Sequence, residues 1–195
     1  MFKKIFSPLI LISIVMAIQA DSSQIIKPGA QDTGSGASAA VSIWYVGGIG
    51  GSWLAVGQPN TLDRNDRAVI RFDLARFIAA GKIKHAVLRF KIEPFTQGET
   101  FQLEHFTIER LSLSGNDLNS QQIESVRNFE VKPKTVSGSE SAFNVTAAVN
   151  KDLAAGFGYV TFRVKSINAE KFGNPNNKPG GITIIKESIE LEVKE

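Results

Sequence analysis

The sequence predicts a mostly β protein made of half-buried antiparallel strands. Three observations carry this. From Val41 onward the chain runs as short β-type segments separated by Gly, Pro and Asn clusters. Several segments alternate strictly between apolar and polar residues. Their spacing is too tight for the helical crossovers of an α/β sheet. The 195 residues are 43 % hydrophobic and 21 % charged, the make-up of one folded domain, which excludes a disordered chain and a membrane-spanning bundle. The absence of cysteine excludes a disulfide scaffold, a Cys-ligated metal and a thiol nucleophile.

In chain order, residues 1–20 read as a secretion signal: Lys3 and Lys4 precede an apolar run, and Ala20 is a small residue suited to cleavage before Asp21. The alternative, an uncleaved anchor helix, is opposed by Ser7, Pro8 and Ser13 within the run. Of the 22 Lys and Arg, two lie in this segment, and none of the 19 Asp and Glu does, so its removal lowers the formal net charge from +3 to +1. That near-neutrality argues against nucleic acid as a partner, and no membrane span is expected after cleavage. The destination is secreted, periplasmic or cell-surface. Residues 21–40 are polar and small, which predicts a flexible leader or an irregular first edge, and 41–195 form one domain.

Strands are expected at 41–46, 52–56, 68–73, 83–92, 103–111, 126–131, 159–165, 182–185 and 188–193. In 83–92, Ala86, Leu88, Phe90 and Ile92 share one face, and His85, Arg89 and Lys91 the other. The same logic puts Val160, Phe162 and Val164 inside with Thr161, Arg163 and Lys165 outside, and divides Ile189, Leu191 and Val193 from Glu190, Glu192 and Lys194. Ala68, Ile70 and Phe72 oppose Val69, Arg71 and Asp73 on a strand apolar enough to be central. Two short helices are expected. Leu74, Phe77 and Ile78 have i, i+3, i+4 spacing before Gly81. Val145, Ala148, Val149 and Leu153 make a stripe capped by Asn144 and ended by Gly156. Residues 131–141 and 172–181 read as loops.

Set out in order, these segments resemble the DNRLRE domain, which overlaps the family 96 carbohydrate-binding modules and disaggregatase-related domains. The resemblance covers 41 to the C-terminus. Its centre is Arg67-Ala68-Val69-Ile70-Arg71-Phe72-Asp73-Leu74 followed by Ile83-Lys84-His85-Ala86-Val87-Leu88-Arg89-Phe90. Gly51-Ser52-Trp53-Leu54-Ala55-Val56-Gly57, Phe143-Asn144-Val145-Thr146-Ala147-Ala148-Val149 and Gly158-Tyr159-Val160-Thr161-Phe162-Arg163-Val164 resemble flanking family segments. The family's Trp-containing segment is absent, since Leu111-Ser112-Leu113-Ser114-Gly115-Asn116-Asp117 stands in its place. The resemblance implies an all-β, jelly-roll-like antiparallel β-sandwich in a secreted protein.

For carbohydrate binding, the candidate aromatics are Trp44, Tyr45 and Trp53, because a ring face stacks on the apolar face of a sugar; core packing is their alternative. Trp44 and Tyr45 are neighbours in an expected strand and so point to opposite faces. Arg64, Arg67, Arg71 and Arg89 are candidates for an acidic polymer, since Arg grips carboxylates with two parallel bonds; on a strand exterior they also read as a solvated face. Asp63, Asn65 and Asp66 offer alternating oxygens for a structural calcium, or form an Asp- and Asn-rich turn. Asn144-Val145-Thr146 is an N-glycosylation sequon that helix capping equally explains.

Enzymatic readings have few parts. His85 and His105 are the only imidazoles, and neither HExxH nor G-x-S-x-G occurs. Glu93, Glu99, Glu104 and Glu109 lie near one another in sequence and could offer a carboxylate pair, but two acids on successive even positions of one strand more often form a solvated stripe, and His105 reads as a satisfied, partly buried histidine. The expected function is therefore a secreted non-catalytic module for extracellular polysaccharide, with no cofactor beyond a structural calcium. A surface or matrix protein that binds other proteins is the alternative, and a polysaccharide-cleaving enzyme a third.

Overall fold

A computed structural model describes residues 23–28, 36–38, 41–45, 53–58, 66–94, 99–107, 123–131, 137–167 and 180–195. Its strands are β1 (Ser23–Ile26), β2 (Gly36–Ser38), β3 (Val41–Tyr45), β4 (Trp53–Gln58), β5 (Asp66–Asp73), β6 (His85–Pro94), β7 (Glu99–Phe106), β8 (Ile123–Val131), β9 (Ser139–Asn144), β10 (Tyr159–Ser166) and β11 (Gly180–Lys194). A 3-10 helix, Ala75–Ala80, follows β5, and helix α1, Thr146–Ala154, follows β9. The protein is an all-β sandwich.

One layer has the order β4-β11-β6-β9, with β1 also on β11; the other has β5-β10-β7-β8, extended beyond β5 by β3 and β2. The layers are joined through one residue pair, Gly57 with Asp66. From β4 on, most successive strands change layer, which yields the double Greek-key order of a jelly roll. Every described pairing is antiparallel except β3 on β5. A shared core fills the gap. Ala68, Ile70, Phe72, Phe101, Leu103, Val160, Phe162 and Val164 from one layer face Leu88, Phe90, Ile182, Ile184, Leu191 and Val193 from the other. Phe129 of β8 touches Phe90 and Phe143 across the gap, with ring centroids 6.3 and 5.1 Å away.

The inward faces follow the alternation in β5, β6, β10 and β11. The outward face of β10 differs from expectation: Thr161 and Arg163 are buried rather than wet. β10 is flanked on both edges, by β5 and β7, and alternation reports only that two faces differ, not that one is exposed.

Four elements depart from the sequence reading. β9 lies in a stretch expected to begin as loop, because Ser139-Glu140-Ser141-Ala142 has no apolar alternation; it pairs with β6, and only Phe143 of the strand is buried. Residues 182–185 and 188–193 belong to one strand with a register shift between Ile185 and Glu190. There the Ser188 hydroxyl accepts from the Lys91 N–H at 2.7 Å and donates to the Ile185 carbonyl at 2.6 Å, standing in for ladder bonds. Within 21–40, expected as a flexible leader or an irregular first edge, residues 23–26 form a regular strand held by backbone pairing with β11 and by the buried Ile26. Finally, the Leu74 segment winds as a 3-10 helix, so Leu74 and Phe77 stack one turn apart in the core while Ile78 rotates off that line and is 43 % exposed. Gly81, at φ +66°, closes this helix as expected.

Helix α1 closes one end of the sandwich. Its buried face is Ala148, Val149, Asp152 and Leu153. The Asn150 amide accepts from the Ile83 N–H at 2.8 Å and donates to the Ile83 carbonyl at 3.1 Å, while Thr146 Oγ1 accepts from the Ala86 N–H at 2.9 Å. Val145, not Asn144, leads into the helix. Asn144 still serves the entry, since its Oδ1 accepts from the Thr146 N–H at 3.1 Å and from the Thr146 hydroxyl at 2.8 Å. Among the described residues no helix is long and apolar enough to cross a membrane.

Candidate functional site

The outer faces of the two layers differ in how their charges are used. On the β6 side, Arg89 donates to Glu140 at 3.0 Å and Glu192 at 3.4 Å. The Glu140 hydrogen bond, more than the Glu192 one, raises the guanidinium further above its ordinary value. This is a solvated face whose cation is already matched by two acids. Arg71 and Arg89 lie in different layers. The register partner of Arg71 is Thr161, and those of Arg89 are Ala142 and Glu190.

On the β5-β10-β7 face, the pleat aligns Arg67, Val69, Arg71 and Asp73 with Tyr159, Thr161, Arg163 and Lys165, and the latter with Gln102 and Glu104. Its floor is buried and ionic. Arg163 Nε and one terminal nitrogen both donate to Glu104 Oε2 at 2.6 Å, and Lys165 Nζ lies 2.9 Å from Oε1. Each charge has an opposite partner, as burial requires. Glu104 is thus buried beside its cations, where a solvated stripe was expected.

The half-buried rim of this face combines a cation with aromatic surface. Arg71 Nε donates to Thr161 Oγ1 at 3.0 Å, and the guanidinium carbon sits 4.2 Å from the centroid of the Tyr159 ring. Phe157 continues the aromatic surface, its ring 5.6 Å from that of Tyr159 at 38°. Exposed Asp73 and Ile78 flank the patch. Gly158, between the two rings, lies against Ala75 and Ile78. A guanidinium fixed over a ring presents its plane in one orientation, the requirement for bidentate recognition of a carboxylate.

A second polar cluster ties α1 to β7 and β8. His105, 2 % exposed, has Asp152 Oδ2 2.9 Å from Nε2 and Glu124 Oε2 3.9 Å from Nδ1. Thr107 donates to Asp152 Oδ1 at 2.8 Å. The histidine is satisfied as expected, and buried rather than partly buried. Outside it, the hydrogen bond from Lys151 holds the Glu124 carboxyl below its ordinary range, and His105 lowers it less. A depressed carboxyl contributes stability above the ordinary carboxylate range and loses it as pH falls through the folded value. Both side chains are exposed, so the contribution is small and salt-screened. In Lys151→Met the Glu124 titration, followed by carbon NMR, should move up toward that of a free carboxylate; an unchanged titration would remove Lys151 as the cause.

Of the residues proposed from sequence, the structure gathers Arg67 and Arg71 on one face and puts Arg89 on the other layer. Trp44, Tyr45 and Trp53 are placed by backbone register alone, opposite Ala68, Val69 and Ile185, and their side chains lie outside the described part. Asp63, Arg64 and Asn65 lie outside the described residues, and Asp66 opens β5 opposite Gly57 and Ser42. Among the described residues no group of three or more His, Asp or Glu is placed to hold a metal ion. Phe157 and Tyr159 were missed as site residues. Their signal was an aromatic at every second position, around a glycine, at the start of a strand. No family model matches the chain, and no curated protein matches its sequence.

Proposed function

We propose that the protein is a secreted, non-catalytic binding module whose ligand is an extracellular polysaccharide carrying carboxylate groups. The observation that carries this reading is the Arg71 guanidinium held between Thr161 and the Tyr159 ring, beside Phe157. Sugar recognition uses this pairing: an aromatic face takes the C–H side of the ring, and a fixed polar group sets orientation. Arg71 adds selection for a uronate over a neutral sugar. The DNRLRE resemblance points the same way.

The test is affinity electrophoresis of the exported protein in gels containing uronic-acid or neutral polysaccharides, with and without calcium. Retardation by a uronate polymer is expected. A hydrogen bond to a charged group is worth about 1.5–3 kcal/mol, so Arg71→Ala should weaken binding roughly 10- to 100-fold, with Arg71→Lys recovering part of it and circular dichroism unchanged. Equal retardation of Arg71→Ala would remove this site from the reading. Retardation by no polymer would favour the second reading, a surface or matrix protein that binds other proteins. That reading rests on exposed Ile78 beside the aromatic pair.

A further inference from the structure

We propose that β1 is an exchangeable strand, and that the notch it fills on β11 accepts the β1 of a second copy of this chain. β11 is paired along one edge by β6 over both its halves. Its other edge is shared: β4 covers residues 180–185 and β1 covers 191–194. The second half of the strand therefore depends on a segment from the far end of the sequence to close its backbone ladder. Without it, four residues would present an open edge, the standard template for strand addition.

β1 is lightly held. Ile26 is its one buried side chain, while Ile25 is 50 % exposed. Beyond it, Lys27 contacts Glu190 at 3.3 Å and the Glu187 carbonyl at 3.2 Å, with its own side chain 57 % exposed. β1 precedes every other described element in sequence, and among the described strands it pairs with β11 alone. Residues 28–35, between it and β2, are Pro-Gly-Ala-Gln-Asp-Thr-Gly-Ser, with no large apolar side chain to anchor. A strand arriving from another copy restores the same ladder, the same Ile26 contact and the same Lys27–Glu190 pair. Exchange thus alters no contact and is governed by chain entropy and local protein concentration. A copy that gives its strand away leaves its own notch open, so the association continues head to tail or closes as a reciprocal dimer.

The chain has no cysteine, so introduced thiols report only on themselves. Ile25 and Glu192 are register partners, as are Ser23 and Lys194. Full-length Ile25→Cys protein is mixed with Glu192→Cys protein under mild oxidation. The expected result is a disulfide-linked heterodimer, rising with concentration and at least ~10-fold more abundant than with the control pair Ile25→Cys and Lys91→Cys, Lys91 being exposed on β6. The double variant Ile25→Cys/Glu192→Cys should close within one chain and thereby lose the capacity to associate. The Ser23→Cys and Lys194→Cys pair repeats the experiment should either substitution unfold the protein. Closure in the double variant without heterodimer above control would overturn the proposal, because the geometry would then permit the bond and exchange would be absent. Failure of the double variant to close would overturn it too, by removing the β1–β11 pairing.

Discussion

Phe90→Ala is expected to lower the unfolding free energy by about 3–5 kcal/mol, a large share of the ~5–15 kcal/mol typical of a domain. Phe90 is fully buried on β6 and packs against Phe143 at 5.3 Å and Phe129 at 6.3 Å, so it touches both a neighbouring strand and the opposite layer. β6 itself is hydrogen-bonded on both sides, by β11 and by β9, and cannot collapse freely into the space left behind. The lost transfer energy and the residual cavity therefore add. Urea denaturation should show a lower midpoint at unchanged slope. Phe90→Leu should recover more than half of the loss. A Phe90→Ala effect below ~1 kcal/mol would mean that the two layers are not packed together at this point.

The second large effect concerns the buried ions. Glu104→Leu removes the carboxylate that Arg163, which is 3 % exposed, and Lys165 share. Removing one member of a buried pair costs about 3–5 kcal/mol, since the remaining charge keeps its burial and loses its counter-ion. Lys165 keeps 19 % of its side chain accessible and can turn toward water; Arg163 has no such route. The double variant Glu104→Leu/Arg163→Met should therefore be markedly more stable than Glu104→Leu alone. If the two substitutions simply added, the Glu104–Arg163 interaction would be too weak to organise this face. Breaking the exposed Arg89–Glu140 pair should cost far less.

Much of the architecture was legible. The inward rows of β5, β6, β10 and β11 could be named from period-two alternation, and Gly81 and Gly156 marked the two helix ends. The misses share a cause. β9 and the 186–189 stretch are stabilised by what their neighbours offer, a free strand edge on β6 and the Ser188 hydroxyl, and no local pattern reports this. β1 is too short to alternate visibly. For the site, Arg71 could be named but its setting could not. Tyr159 and Thr161 lie some ninety residues away in sequence and meet Arg71 only through the β5–β10 register. The reverse held for Arg89, whose placement beside Glu140 and Glu192 is equally a matter of register.

The position of β11 also sets a clock on folding. It is the last of the described strands, and β1, β4 and β6 all pair with it. Until Gly180–Lys194 is available, one layer of the sandwich has no centre, and Leu88, Phe90 and Ile92 have nothing beside them on that edge. Contacts this distant along the chain must close large loops before they are rewarded, which places folding on the millisecond-to-second scale of β-sandwiches. Throughout that interval the edges of β4 and β6 that β11 covers stay unpaired and open to other strands, a delay written into the topology.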